Sequence, residues 1–166
     1  MRDALIVSTA RTPLTKSYRG TFNNTTAPTM AGWAIEEAVK RSGVDPEKVD
    51  DVIMGAALQQ GTQHCNVARN SALAAGLPVT VSGMTLDRQC SSGMMAIATA
   101  AKQIISDGMN VAVGGGLDSI SLVQTEKMNL DRWVDKKLIE KHKHIYMPML
   151  KTAEVVANRY NISRES

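Results

Sequence analysis

The chain has 166 residues, of which 43% are hydrophobic and 21% charged, and its formal net charge is +3. This composition predicts a globular protein with a buried core and excludes a disordered chain. The mild charge, without interleaved basic and aromatic residues, argues against a nucleic-acid partner. With no apolar run of membrane-spanning length, no leader pattern and only two cysteines, we expect a soluble, cytoplasmic protein with no membrane partner.

Strand and helix patterns alternate along the first 120 residues. The predicted strands are short apolar runs bounded by turn residues, at Ala4–Ser8, Val49–Ala57, Val79–Leu86 and Asn110–Gly114. The predicted helices have small and aliphatic residues at helical spacing, at Met30–Ser42, Asn66–Ala75 and Ser91–Ser106. This alternation predicts an α/β fold, with a mostly parallel sheet covered by helices.

Cys90 lies between the third predicted strand and the third predicted helix. The N–H groups at a helix N-terminus favour an anion, and thiols placed there ionise readily to the nucleophilic thiolate. Ala56–Gly61 and Gly114–Gly116 also fall at the carboxyl ends of predicted strands, which is where ligands of parallel sheets bind. The residues alone leave two readings of Cys90 open, a catalytic nucleophile or a free cysteine that only packs.

From Ser121 the alternation stops. The stretch Glu126–Lys151 holds seven Lys or Arg and four Asp or Glu, and a helix pattern resumes at Thr152–Tyr160. We therefore predict an α/β domain over residues 1–120 and the start of an inserted or appended subdomain over residues 121–166. The sequence reads as a fragment of a longer protein.

Five blocks stand in order along the chain: Arg11–Pro13, Asp51–Gly55 with Asn66–Arg69, Arg88–Gly93, Gly115–Ser119, and Met149–Glu154 with Tyr160–Glu165. Together they resemble the N-terminal half of the thiolase family. The resemblance covers essentially the whole chain and implies a layered thiolase-like fold in which residues 121–166 begin a loop domain. It also implies acyl transfer between coenzyme A thioesters, either thiolysis of a 3-ketoacyl-CoA or Claisen condensation of acetyl-CoA.

The resemblance assigns Cys90 as the acyl-carrying nucleophile, with its backbone N–H as an oxyanion donor, and Met149 as a contact of the acyl group. Coenzyme A is then substrate and product, with no cofactor and no metal ion. A homodimer or homotetramer and a role in fatty acid metabolism are also implied. The histidine base and second cysteine of the family belong to its C-terminal half, and nothing in this chain matches them. We therefore expect the chain alone to be inactive.

Two acidic residues depart from the family pattern: Asp87 stands where Asn is usual, and Asp118 where Glu is usual. Two other functions stay open. One is a condensing enzyme of the ketoacyl-synthase kind, which Asp87–Ser92 partly resembles. The other is a redox or structural thiol module, for which Cys65 is the one further cysteine. His64 and Cys65 are expected in a surface or interface loop.

Overall fold

The computed structural model describes residues 2–165, which fall into two compact units that divide between Met128 and Asn129. The first unit contains a sheet of three parallel strands, β1 (Asp51–Gly55), β2 (Ser82–Leu86) and β3 (Ala112–Gly116). β1 lies between the other two, and its central Ile53 pairs with Met84 of β2 and Gly114 of β3. All five residues of β1 are buried, as expected for a central parallel strand.

Among the described residues of the first unit are four helices: α1 (Ala27–Ser42), α2 (Val67–Ala74), α3 (Ser92–Ser106) and the single turn α4 (Ile120–Val123). Short 3₁₀ turns lie at Pro46–Lys48 and Gly61–Gln63. The second unit contains α5 (Lys136–Lys141) and α6 (Met149–Tyr160). None of the helices described between residues 2 and 165 is long and apolar enough to cross a membrane.

The two faces of β1 pack against different helices. Val52 and Met54 join a buried cluster with residues of α1 and α2. Ile53, which points to the other face, packs against Ala96 and Ala100 of α3. Helices therefore cover both faces of the sheet, and the predicted α/β layering with a parallel sheet is confirmed.

The predicted buried strand at Ala4–Ser8 is wrong. Residues 4–8 have no regular secondary structure, and Leu5, Ile6 and Val7 are 77%, 79% and 68% exposed. The guanidinium of Arg2 donates to Asn110 Oδ1 at 2.6 Å, but no strand among residues 2–165 pairs with the apolar run. An apolar run predicts a buried strand only when a neighbour pairs with it and a helix covers it, and the described residues supply neither.

The third helix-to-strand boundary also differs from its prediction. The strand expected at Asn110–Gly114 is displaced toward the carboxyl end and occupies Ala112–Gly116. The glycine run is therefore part of β3 and does not follow it. Glycine is a poor strand former by propensity, so the sequence pattern placed the strand end at the first glycine of the run.

Candidate active site

Cys90 lies at the carboxyl edge of the sheet, in the turn between the end of β2 at Leu86 and the start of α3 at Ser92. Its thiol is free and exposed to solvent. The predicted placement of this cysteine between a strand and a helix is confirmed. An accessible thiol close to the positive end of a fifteen-residue helix suits a nucleophile.

The carboxylate of Asp87 holds the turn that presents Cys90. Asp87 Oδ1 accepts the backbone N–H of Gln89 at 2.6 Å, and Oδ2 accepts the Gln89 side-chain amide at 3.3 Å. Gln89 has a φ of 49°, in the left-handed region that residues other than glycine rarely adopt. Such a conformation costs about 1–3 kcal/mol and persists where its surroundings determine it. Asp87 therefore stabilises a strained residue directly before the cysteine.

Ser92 closes the same turn from the helix side. Its buried hydroxyl accepts the backbone N–H of Arg88 at 2.8 Å and donates to the carbonyl oxygen of Gln89 at 2.6 Å. The backbone N–H of Ser91 donates to the Arg88 carbonyl at 3.0 Å. Since both flanks are hydrogen-bonded, the backbone on either side of Cys90 is fixed.

Two glycines let the start of α3 sit directly on the strand ends. A Cβ atom at Gly55, the last residue of β1, would overlap the carbonyl carbon of Ser92. A Cβ atom at Gly116, the last residue of β3, would lie 2.7 Å from the Cα of Gly93. Only glycine permits such an approach of two backbones. The two contacts set the height of the α3 start, and with it the height of Cys90, above the sheet.

Asp118 joins the segments that leave β1 and β3. Its Oδ1 accepts the backbone N–H of Ala57 at 3.2 Å and the side-chain amide of Gln63 at 3.0 Å. Burial raises the pKa of the Asp118 carboxyl above its usual range, and the negative charge of Asp87 raises it further. The hydrogen bonds from Gln63 and Ala57 offset part of this rise in pKa because they favour the ionised carboxylate.

Gln63 is a site residue that the sequence did not indicate. Its side chain is 1% exposed, and its amide nitrogen donates to the carbonyl oxygen of Leu58 at 2.7 Å as well as to Asp118. Its Oε1 accepts the backbone N–H of Ser119. Both polar atoms of the buried side chain are therefore satisfied. A glutamine in a short polar loop carries no periodic pattern, so the sequence alone does not distinguish it.

His64 and Cys65 lie in the loop before α2, and both are exposed, which agrees with the predicted surface loop. His64 Nδ1 is 2.8 Å from Cys65 Sγ, and the Cys65 backbone has a φ of 49°. Cys65 and Cys90 are both free thiols in this structure.

Met149, the predicted acyl contact, lies in the second unit. It is the first residue of α6, and its side chain is 77% exposed. An open cleft of about 240 Å³ lies nearby in the same unit, and its lining includes Lys143, His144 and Lys151. The role of Met149 in substrate binding stays a prediction.

The fold and the turn define a class: a three-layer α/β protein that presents an exposed cysteine where a strand passes into a helix. Residues 4–166 match the family model described as Thiolase, N-terminal domain. The chain belongs to the thiolase family.

Individual proteins that are similar to this chain support its membership in the thiolase family. The chain is 39% identical over 165 residues to the 3-ketoacyl-CoA thiolase of Bacillus subtilis, covering 99% of this chain and 42% of that protein. It is 33% identical to the peroxisomal 3-ketoacyl-CoA thiolase 2 of Arabidopsis thaliana, covering 98% of this chain and 35% of the relative. The crystal structure of the Bacillus anthracis acetyl-CoA acetyltransferase superposes with a TM-score of 0.84 at 37% identity, over 99% of this chain and 44% of that one. The chain thus spans roughly two fifths of the length of these relatives.

Proposed function

We propose that this chain is the nucleophile-bearing part of a thiolase-type acyltransferase, which moves acyl groups between coenzyme A thioesters through a thioester on Cys90. The observation that carries the proposal is the exposed thiol of Cys90, on a hydrogen-bonded turn at the start of α3, within an N-terminal thiolase domain. The names of the relatives, 3-ketoacyl-CoA thiolase and acetyl-CoA acetyltransferase, supply the substrate class.

In the thiolysis direction, the Cys90 thiolate attacks the ketone carbon of a 3-ketoacyl-CoA. The bond between that carbon and the α-carbon breaks, the acyl group stays on Sγ, and acetyl-CoA leaves after its α-carbon takes up a proton. The sulfur of a free coenzyme A then attacks the thioester, which releases the shortened acyl-CoA and regenerates Cys90. Condensation of two acetyl-CoA molecules is the reverse sequence.

We assign the backbone N–H of Cys90 as a donor to the oxyanion that forms in both steps. Its place beside the start of α3 supports this, since N–H groups that are fixed in advance stabilise developing negative charge. The turn held by Asp87 and Ser92 keeps that N–H in place, so the donor needs no reorganisation during the reaction.

The base that activates Cys90 and the group that moves the α-proton are proposed to come from sequence outside this chain. We propose Met149 as an apolar contact of the acyl group, on the family resemblance of its block.

We also propose a homodimer or homotetramer, which sedimentation of the complete encoded protein tests, and a cytoplasmic enzyme of fatty acid metabolism. The Arabidopsis relative is named as peroxisomal, so imaging of the tagged protein decides the compartment.

The membership in the thiolase family favours this function over a ketoacyl-synthase-like condensing enzyme. The direct test is thiolysis of acetoacetyl-CoA by the complete encoded protein, with Cys90→Ala compared with Cys65→Ala. We expect Cys90→Ala to abolish turnover and Cys65→Ala to retain it. Turnover that survives in Cys90→Ala contradicts the proposal.

A further inference from the structure

We infer that Gln63 and Asp118 form a positioning pair for acyl transfer, which holds the segment after β1 against the segment after β3 and so fixes the seat of the Cys90 turn. The inference rests on the proposed function and adds to it two residues that lie outside the nucleophile turn. Neither residue is assigned a contact with substrate, so both are positioning residues and not catalytic ones.

The hydrogen bonds of the pair connect the segment that follows β1, here called the first exit, with the segment that follows β3, here called the second exit. Gln63 donates to Leu58 O in the first exit and to Asp118 Oδ1 in the second, at 2.7 Å and 3.0 Å. Asp118 Oδ1 also accepts the N–H of Ala57, and Gln63 Oε1 accepts the N–H of Ser119. Four hydrogen bonds therefore cross or anchor this junction, and breaking the pair removes the side-chain bonds that hold one exit against the other.

The strand ends directly before these two exits support the start of α3. Gly55 and Gly116 are the strand-end residues on which Ser92 and Gly93 rest, and Gly116 lies two residues before Asp118. The backbone N–H of Leu117 donates to Gly55 O at 3.0 Å, which ties the two strand ends to each other. A shift of either exit therefore moves the surface that supports the start of α3 and the Cys90 turn.

The consequence is kinetic, because attack by a nucleophile is sensitive to small displacements. A misplacement of about 1 Å caused by a change away from the reacting atoms can cost about a hundredfold in rate. Loss of the pair is expected to lower the rate of acyl transfer to Cys90 while leaving substrate affinity nearly unchanged.

The chain provides a matched control at the opposite edge of the same sheet. Gln103 of α3 donates its side-chain amide to Asp51 Oδ2 at 3.0 Å, and Asp51, the first residue of β1, is buried. This is the same pair of residue types at the same distance as Gln63 and Asp118. It lies at the amino edge of the sheet, away from the strand exits.

The test compares Gln63→Glu, Gln103→Glu and the double variant Gln63→Glu with Asp118→Asn, each in the complete encoded protein. Each single change places two carboxylates against each other. The double variant restores the hydrogen bond between residues 63 and 118 with donor and acceptor exchanged, whereas the Leu58 carbonyl oxygen loses its donor. We measure kcat and KM for acetoacetyl-CoA thiolysis, the rate of Cys90 acylation by quenched-flow mass spectrometry, and stability in urea.

We expect Gln63→Glu to lower kcat and the acylation rate about tenfold to a hundredfold with KM within about twofold, and the double variant to recover part of the loss. Gln103→Glu is expected to lose stability without a comparable loss of kcat. Equal kcat losses in Gln63→Glu and Gln103→Glu, or no recovery in the double variant, overturn the inference. If Gln63→Glu does not fold, Gln63→Met and Gln103→Met replace the two glutamates, and equal kcat losses in these two variants overturn the inference.

Measurements on the unsubstituted protein and on Cys90→Ala distinguish a failure of the positioning pair from a failure of the proposed function. A parent that catalyses thiolysis, with variants that show no selective loss, overturns the positioning pair alone. A parent whose turnover survives Cys90→Ala, or that has none, overturns the proposed function and the pair with it.

Discussion

The carboxylate of Asp87 accepts the backbone N–H of Gln89 at 2.6 Å and holds that residue in a left-handed conformation immediately before Cys90. The resemblance to the family leads us to expect Asn at this position, and an Asn side-chain oxygen can accept the same bond. The acidic residue is thus accommodated by the turn, where it stabilises the backbone that presents the thiol.

Replacement of Asp87 separates its charge from its hydrogen bond. Asp87→Asn retains an acceptor for Gln89, so kcat should stay within about threefold of the parent if the bond is what matters. Asp87→Ala removes the acceptor from a strained turn and should cost about 1 kcal/mol of unfolding free energy and about tenfold or more in kcat. Urea unfolding and steady-state kinetics measure the two effects. A large loss in Asp87→Asn would show that the charge itself is required.

Gly116→Ala should destabilise the protein because it disturbs the close contact between the end of β3 and the start of α3. The added methyl group would lie 2.7 Å from the Cα of Gly93, where backbone must move, at a cost of about 1–3 kcal/mol. Gly115→Ala is the matched control, since its methyl group meets only the flexible end of Met54 at 3.2 Å. Chemical unfolding of both variants measures the difference. Equal stability of the two variants would contradict the close seat of α3 on β3.

Asp118 is expected to make the folding stability depend on pH. Its pKa is raised in the folded state by burial, so folding is favoured most when the carboxyl is protonated. The stabilisation is complete below the ordinary value of 3.8 and is lost as pH rises through the raised folded pKa. Asp118→Asn removes the titrating proton. The unfolding free energy of this variant relative to the parent should therefore increase as pH rises across that window, in urea titrations at fixed ionic strength.

The 166-residue chain by itself should associate in solution. Leu5, Ile6 and Val7 form an exposed apolar run, and Met94 and Ile97 expose a further apolar patch on α3. Sedimentation velocity should show concentration-dependent association and assays should show no turnover. Ile6→Lys and Met94→Lys should each reduce the association, whereas a monodisperse parent chain would contradict the prediction.

Local sequence signals predicted the parts of the structure that depend on neighbouring residues. The helix before Gly43 and the helix before Gly76 end as expected, because both glycines adopt a positive φ that suits a helix end. The turn at Cys90 was predicted from the contrast between a β-leaning run and a run of helix formers.

The remaining features depend on contacts between distant parts of the chain. Ala4–Ser8 has the pattern of a buried strand, yet Leu5, Ile6 and Val7 are exposed and no strand described between residues 2 and 165 pairs with the segment. The strand β3 includes its glycines because α3 packs closely against them, and strand propensities of single residues do not describe such a tertiary contact. Gln63 became visible only because its partners, Leu58, Asp118 and Ser119, meet around it in space.

The measurement that tests the central claim most directly is covalent trapping of the acyl group. The complete encoded protein is mixed with acetyl-CoA, quenched in acid and digested, and the acetylated peptide is identified by mass spectrometry. We predict acetylation on the peptide that contains Cys90, its loss in Cys90→Ala, and its persistence in Cys65→Ala. Acetylation on another residue, or acetylation and turnover that persist in Cys90→Ala, would contradict the assignment of Cys90 as the acyl-carrying nucleophile.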